Sequence, residues 1–204
     1  EDETARVLPV LEGLAGTGLP ISVDTSKPEV MRAALACGAA MINDVNAFRA
    51  PGALEAMTGT EAALVIMHMQ GEPRTMQLAP RYDDVVAEVG AYLAERAQAA
   101  ERAGITRARI VVDPGFGFGK TLQHNLDLLR ALGGIERLGW PVLAGLSRKA
   151  MLGTLTGRGA DERVHASVAA ALLAVLNGAR FVRPHDVAAP RDALAVLDAL
   201  HGRG

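Results

Sequence analysis

Ile110-Val111-Val112-Asp113-Pro114-Gly115-Phe116-Gly117-Phe118-Gly119-Lys120 is the stretch that decides the fold. An apolar run of strand length ends in a carboxylate, and a proline stops it at once. β-Branched side chains suit a buried strand, and Pro114 cannot donate to a ladder, so the strand closes near Asp113. Gly115, Gly117 and Gly119 then alternate with Phe116 and Phe118 before a lysine. Glycine opens backbone angles closed to other residues and lets a ligand approach the chain closely. The familiar phosphate loops do not fit this spacing. A P-loop needs a glycine where Pro114 stands, and a dinucleotide loop needs one where Lys120 stands. What is left is an acid at a strand end, a permissive loop and a cation, which is how α/β proteins build sites.

The same grammar repeats on both sides. Ile21-Ser22-Val23-Asp24 reads as a strand ending in an acid, and Thr25-Ser26-Lys27-Pro28 opens a helix with capping residues and a first-turn proline. Ala39 to Val45 is a second strand with Asn43 and Asp44 near its end, and Ala62 to His68 is a third. The segment from Met69 to Pro80, with Gly71, Pro73 and Arg74, is a long loop, and long loops are usually functional or mobile. A helix over 82–103 precedes the strand of Asp113. A helix from Gln123 to Leu132 breaks at Gly133-Gly134, and Pro141 to Leu146 forms a fifth strand running into Ser147-Arg148-Lys149. Helical sequence resumes at Asp161, and Arg180 to Asp186 holds the sixth strand, with a last helix to about Leu200.

Strand and helix alternate throughout, which predicts a parallel sheet covered by helices. The strands end in Asp24, Asn43, His68, Asp113, Ser147 and His185. Polar groups at so many strand ends predict an α/β TIM (β/α)₈ barrel, whose site lies at the C-terminal ends of its strands. A doubly wound sheet gathers its site at one switch point and uses fewer of them. At about 31 residues per βα unit, six units need about 190, so the 204 residues hold about six of the eight. The expectation is a single domain over 1–204, a barrel without its first two strands. The chain opens on Glu1-Asp2-Glu3 within a helical pattern, so its natural N-terminus is expected upstream.

Composition narrows the partners. Net charge is −2 and aromatic residues are 3 %, so neither a basic field nor base stacking points to nucleic acid. No apolar run reaches the roughly 20 residues of a membrane span. The single Cys37 excludes an internal disulfide and any cysteine-rich metal site, and is compatible with a reducing compartment.

Six motifs now stand in order: Val23-Asp24-Thr25-Ser26, Ile42-Asn43-Asp44-Val45, Met67-His68-Met69-Gln70-Gly71, Asp113 to Lys120, Ser147-Arg148-Lys149 and Arg183-Pro184-His185-Asp186. Together, from Glu1 to about Leu200, they resemble the dihydropteroate synthases, the sulfonamide-inhibited enzymes of folate biosynthesis. The resemblance implies condensation of a dihydropterin CH₂-diphosphate with p-aminobenzoate, releasing pyrophosphate. It also implies a cytoplasmic homodimer joined through the last helices. Two further motifs of that family are not in this sequence, an Asn-Val-Thr-Pro-Asp-Ser-Phe-like loop and a Glu-Ser-Thr-Arg-Pro-Gly-like loop. The first carries a magnesium-binding asparagine, so Mg²⁺ is implied with no ligand in this chain. Pro184 departs from the aliphatic residue common at that place and removes a backbone donor.

The chemistry of those substrates assigns residues. A pterin edge presents an amine beside a ring N–H, and a carboxylate accepts both at once. Asp113 is the candidate, with Asp24 and Asn43 completing the ring's hydrogen bonds and Met67 as pocket floor. Gly145 leaves room for a flat ring. Lys149 would neutralise the pterin carbonyl, and Ser147, capping the helix that follows, would bind the aminobenzoate carboxylate. Phe118 and Lys120 lie on the glycine loop and would close over the aminobenzoate. Arg183 and His185, two apart on a strand, face one side and suit a diphosphate, so with Lys149 they are the candidate catalytic residues. Each has a plainer alternative: Asp113 as a cap on its own loop, Asp24 as a helix cap, Asn43 as a turn residue, Lys149 as a solvated side chain, Met67 as core. His68 reads as structural. Two other functions stay open, methyl transfer from a methyl-folate and a paralogue that only binds pterin.

Overall fold

β-Branched and aliphatic runs without alternation form strands covered on both faces, and they do so here in a parallel arrangement. The structure, a computed structural model, describes residues 2–72 and 74–202. Glu1, and the Pro73 expected in the long loop, lie outside the described residues. By its own contacts the chain divides into two units, Glu1–His68 with Ala91–Asp113, and Met69–Gly90 with Pro114–Gly204.

The first unit holds helix α1 (Asp2–Leu14), strand β1 (Ser22–Asp24), α2 (Pro28–Ala36), β2 (Met41–Asp44), α3 (Ala53–Met57), β3 (Ala63–Met67) and β4 (Ile110–Asp113). Helix α4 (Val85–Arg102) runs between β3 and β4. Each strand pairs in parallel with the next: Asp24 lies beside Asn43, Asn43 beside Val65, Val65 beside Val111, and Met67 beside Asp113. Side chains alternate faces along a strand. Asp24, Asn43, Met67 and Asp113 therefore share one face of this sheet, with Asp113 two residues, about 7 Å, further along than Asn43. Met31, Ile42, Leu64, Ile66, Leu93, Ile110 and Val112 fill the core. Arg109 fastens the entry to β4, donating to the carbonyls of Ala62 at 2.9 Å and Met57 at 3.0 Å.

The second unit holds α5 (Leu122–Arg130), α6 (Leu132–Glu136), β5 (Val142–Ala144), α7 (Ala150–Thr156), α8 (Val164–Leu176), β6 (Ala179–Val182) and α9 (Ala188–Leu200). β5 and β6 pair in parallel, Ala144 beside Val182. None of the described helices is long and apolar enough to cross a membrane.

Four details differ from the sequence reading. Gly133 and Gly134 lie inside α6 and do not break the chain, although glycine weakens a helix interior. Helical structure returns at Ala150 rather than Asp161, because the turn Ser147-Arg148-Lys149 feeds directly into α7. β6 ends at Val182, so Arg183 and His185 lie beyond the strand and strand alternation does not set their directions. Helix α2 also begins without a side-chain cap, at Lys27.

Candidate functional site

The expected site residues fall into one group in each unit. In the first, Asn43 Nδ2 donates to Asp24 Oδ2 at 2.8 Å. Their backbone register makes this pairing direct. Asn43 is 3 % and Asp113 1 % exposed, whereas Asp24 is open to solvent. Met67 is fully buried beside Asp113. His68 is buried with its ring edge-on to Tyr92 at 5.0 Å, and its backbone N–H donates to the Asp113 carbonyl at 3.0 Å. That is the structural role expected of it.

Next to Asn43 the sequence reading passed over Asp44. This carboxylate is fully buried and accepts from the N–H groups of Asn46 at 2.8 Å and Phe48 at 2.7 Å, and from the Ser26 hydroxyl. Ala47 and Phe48 both sit at positive φ, 55° and 56°, disfavoured for residues with a Cβ. Asp44 holds their amides, and Arg96 donates to their carbonyls, each at 3.1 Å. The loop after β2 is thus fixed from both sides, and Asn43 is fixed with it. An acid beside an asparagine at a strand end is the only sequence signal of this, and it does not reveal the partners.

In the second unit the glycine loop is rigidly built. Gly115, Gly117 and Gly119 take φ of 67°, 82° and 62°, which accounts for their alternation. The left-handed turns point carbonyls inward, and Lys120, expected to close over a ligand, instead donates to Gly115 O at 2.9 Å and Phe118 O at 3.0 Å. It is 3 % exposed, a strut inside the loop. Asn125, which the sequence reading missed, accepts from Gly117 N at 2.7 Å. The long loop is tied to the same place. Gln77 donates to Gly117 O, and Tyr82 donates to Gly119 O at 2.9 Å, its phenol held neutral by burial, which raises its pKa.

Gly119 marks a close approach of the two loops. A Cβ there would stand 2.3 Å from the carbonyl oxygen of Gln70, a backbone atom that cannot swing aside. Gly119→Ala is expected to destabilise the protein by on the order of 1–3 kcal/mol, as overpacking does. Chemical denaturation would read it. A wild-type midpoint would mean that the two loops separate freely.

Lys149 lays its stem over Gly117, where a Cβ would stand 3.3 Å from its Cδ, and its ammonium lies 4.3 Å from the centre of the Phe118 ring. Such a cation–π contact holds both side chains in place. Arg183 continues the β6 ladder by one bond, its N–H donating to Ala144 O at 3.1 Å. Its guanidinium lies over Gly145, where a Cβ would stand 2.9 Å from Nη2. The room above Gly145, expected for a flat ring, is thus taken by the Arg183 guanidinium. Ser147 does not cap α7, whose N-cap is Lys149. Its Oγ accepts instead from His185 N at 3.1 Å and pairs with His185 Nδ1 at 3.0 Å.

Among the described residues no group of three or more His, Cys, Asp or Glu is placed to hold a metal ion.

Residues 1–185 match the family described as pterin binding enzyme. A dihydropteroate synthase of Neisseria meningitidis serogroup B is 51 % identical over 206 residues, covering 98 % of this chain and 72 % of the relative. A dihydropteroate synthase of Xanthomonas albilineans solved with 7,8-dihydropteroate superposes with a TM-score of 0.92 at 55 % identity, covering 98 % of this chain and 74 % of that one. The same enzyme solved with 4-aminobenzoic acid gives a TM-score of 0.93 at 56 % identity, with coverage of 98 % and 72 %. The fold class is the α/β TIM barrel, with six of its eight βα units in this chain.

Proposed function

We propose a division of labour among these residues from one premise: the chain belongs to the pterin-binding enzyme family and, within it, to the dihydropteroate synthases. Its reaction is the transfer of a dihydropterin-methyl group from diphosphate to the amine of p-aminobenzoate. One C–O bond breaks, the diphosphate leaves with the electron pair, and one C–N bond forms. The aniline nitrogen then loses one of its two protons to water.

Pterin recognition is assigned to Asp113, Asn43, Asp24 and Met67. The observation that carries this is the Asp113 carboxylate, 1 % exposed at the end of β4 and on the same face as the Asn43–Asp24 pair. A buried acceptor with two oxygens matches two adjacent N–H donors. Arg183 and His185 are assigned to the diphosphate, where cationic and hydrogen-bonding groups stabilise charge as it develops on the leaving group. Lys149 is assigned to the pterin carbonyl. Phe118 and Ser147 are assigned to the aminobenzoate, with Gly145 and Lys120 supporting Arg183 and the loop. No general base is needed, because a neutral aniline attacks through its lone pair.

Magnesium is proposed as a cofactor from the family resemblance. Assembly as a homodimer is proposed from the same resemblance, supported by the exposure of Leu173 and Leu176 on α8. A cytoplasmic location is proposed from the folate-pathway role. The test of function is a steady-state assay with the pterin diphosphate and p-aminobenzoate. Stoichiometric dihydropteroate and pyrophosphate are expected; methyl transfer from a methyl-folate, without pyrophosphate, would refute the reading.

A further inference from the structure

We propose that Arg148 is a positioning residue, riveted to Asp186 so that Ser147 and Lys149 on one segment are set against Arg183 and His185 on the other. The inference rests on the assignment of those four residues to the substrates. The Arg148 guanidinium itself binds Asp186 and Asp161.

Its backbone carries the first sign. Arg148 sits at φ 56°, one of three non-glycine residues at positive φ among those described. A long side chain in this region is strained, and such strain persists only where the surroundings over-determine it. They do so here. The Arg148 N–H donates to Ser167 Oγ at 3.0 Å, and its carbonyl accepts from Arg163 Nη1 at 2.9 Å. Ser167 is buried and donates in turn to Arg163 O at 2.7 Å.

The side chain completes the clamp. Nε donates to Asp186 Oδ2 at 3.1 Å and Nη2 to Asp186 Oδ1 at 2.8 Å, a two-pronged fork. Lysine cannot reproduce this planar geometry. The hydrogen bond lowers the Asp186 pKa and raises that of Arg148, so both stay charged across the neutral range. Asp186 follows His185 directly, and Ser147 precedes Arg148. The fork and the Ser147–His185 hydrogen bonds are therefore adjacent cross-links between the β5–α7 turn and the loop after β6. The left-handed turn at Arg148 sends Ser147 toward His185 and Lys149 toward Phe118.

Arg148→Gly separates positioning from folding. Glycine accepts positive φ without strain, so the thermal midpoint is expected to hold or rise while the fork is lost. The expected kcat falls on the order of tenfold to a hundredfold, the scale of a misplacement of about 1 Å. Asp186→Asn, a milder change at the other end, is expected to lose a similar factor, and the double variant no more than the larger single loss, since both cut one link. Arg148→Lys is expected to recover little. Wild-type kcat in Arg148→Gly, or losses that multiply in the double variant, would overturn the proposal. A drop in activity that only follows a drop in folded fraction would overturn it too. Lys149→Ala and Arg183→Ala run in parallel. If they lower activity while the Arg148 and Asp186 variants do not, the rivet alone falls. If they are silent, the functional reading falls and takes the rivet with it.

Discussion

Asp113→Asn is expected to weaken binding of a pterin ligand by about 2–4 kcal/mol, roughly 30- to 900-fold in Kd. The substitution keeps the size of the side chain and changes one acceptor oxygen into a donor. On the proposed assignment that donor would face an N–H of the pterin, so a charged hydrogen bond would be lost and a mismatched pair buried in its place. Because Asp113 is 1 % exposed, water cannot repair the mismatch. The contact between the Asp113 carbonyl and His68 N–H is made by backbone and survives the change. Isothermal titration with a pterin measures the loss directly. An unchanged Kd would return Asp113 to a role inside the strand end.

The strand end at Asp113 was legible because several local signals agree there. A β-branched run, an acid and a proline in succession leave a buried strand little other way to end. The six strands were legible for the same reason, since parallel strands covered on both faces write themselves as continuous apolar runs. Lys120 was not. A lysine after three glycines reads equally well as a solvated cation, and what decides is that the three positive-φ turns aim carbonyls at it. Those turns are a property of the folded loop. Asp44 and Arg148 were missed because their partners lie far along the chain, Arg96 bracing the Asp44 loop and Asp186 holding Arg148. Arg183 and His185 were expected on the last strand and lie beyond it. Arg180 to Asp186 reads as one strand and its end, but β6 ends at Val182 and only the Arg183 N–H carries the ladder further.

The change in their setting sharpens what Arg183→Ala should do. Arg183 is exposed, held at its backbone by Ala144 and laid over Gly145 without a Cβ in its way. A guanidinium carries several N–H donors in one plane, as a diphosphate requires. Removing it is expected to weaken a pterin diphosphate by more than tenfold, about the 1.5–3 kcal/mol of a hydrogen bond to a charged group. A pterin without the diphosphate is expected to lose much less. Since the group is open to solvent, the loss for the diphosphate should shrink as salt rises, screening acting over about 10 Å at 0.1 M. Titration of both ligands at two salt concentrations separates the cases. Equal, salt-insensitive losses would mean that the guanidinium stacks on the ring above Gly145 and belongs to pterin recognition. No loss for either ligand would remove Arg183 from the site.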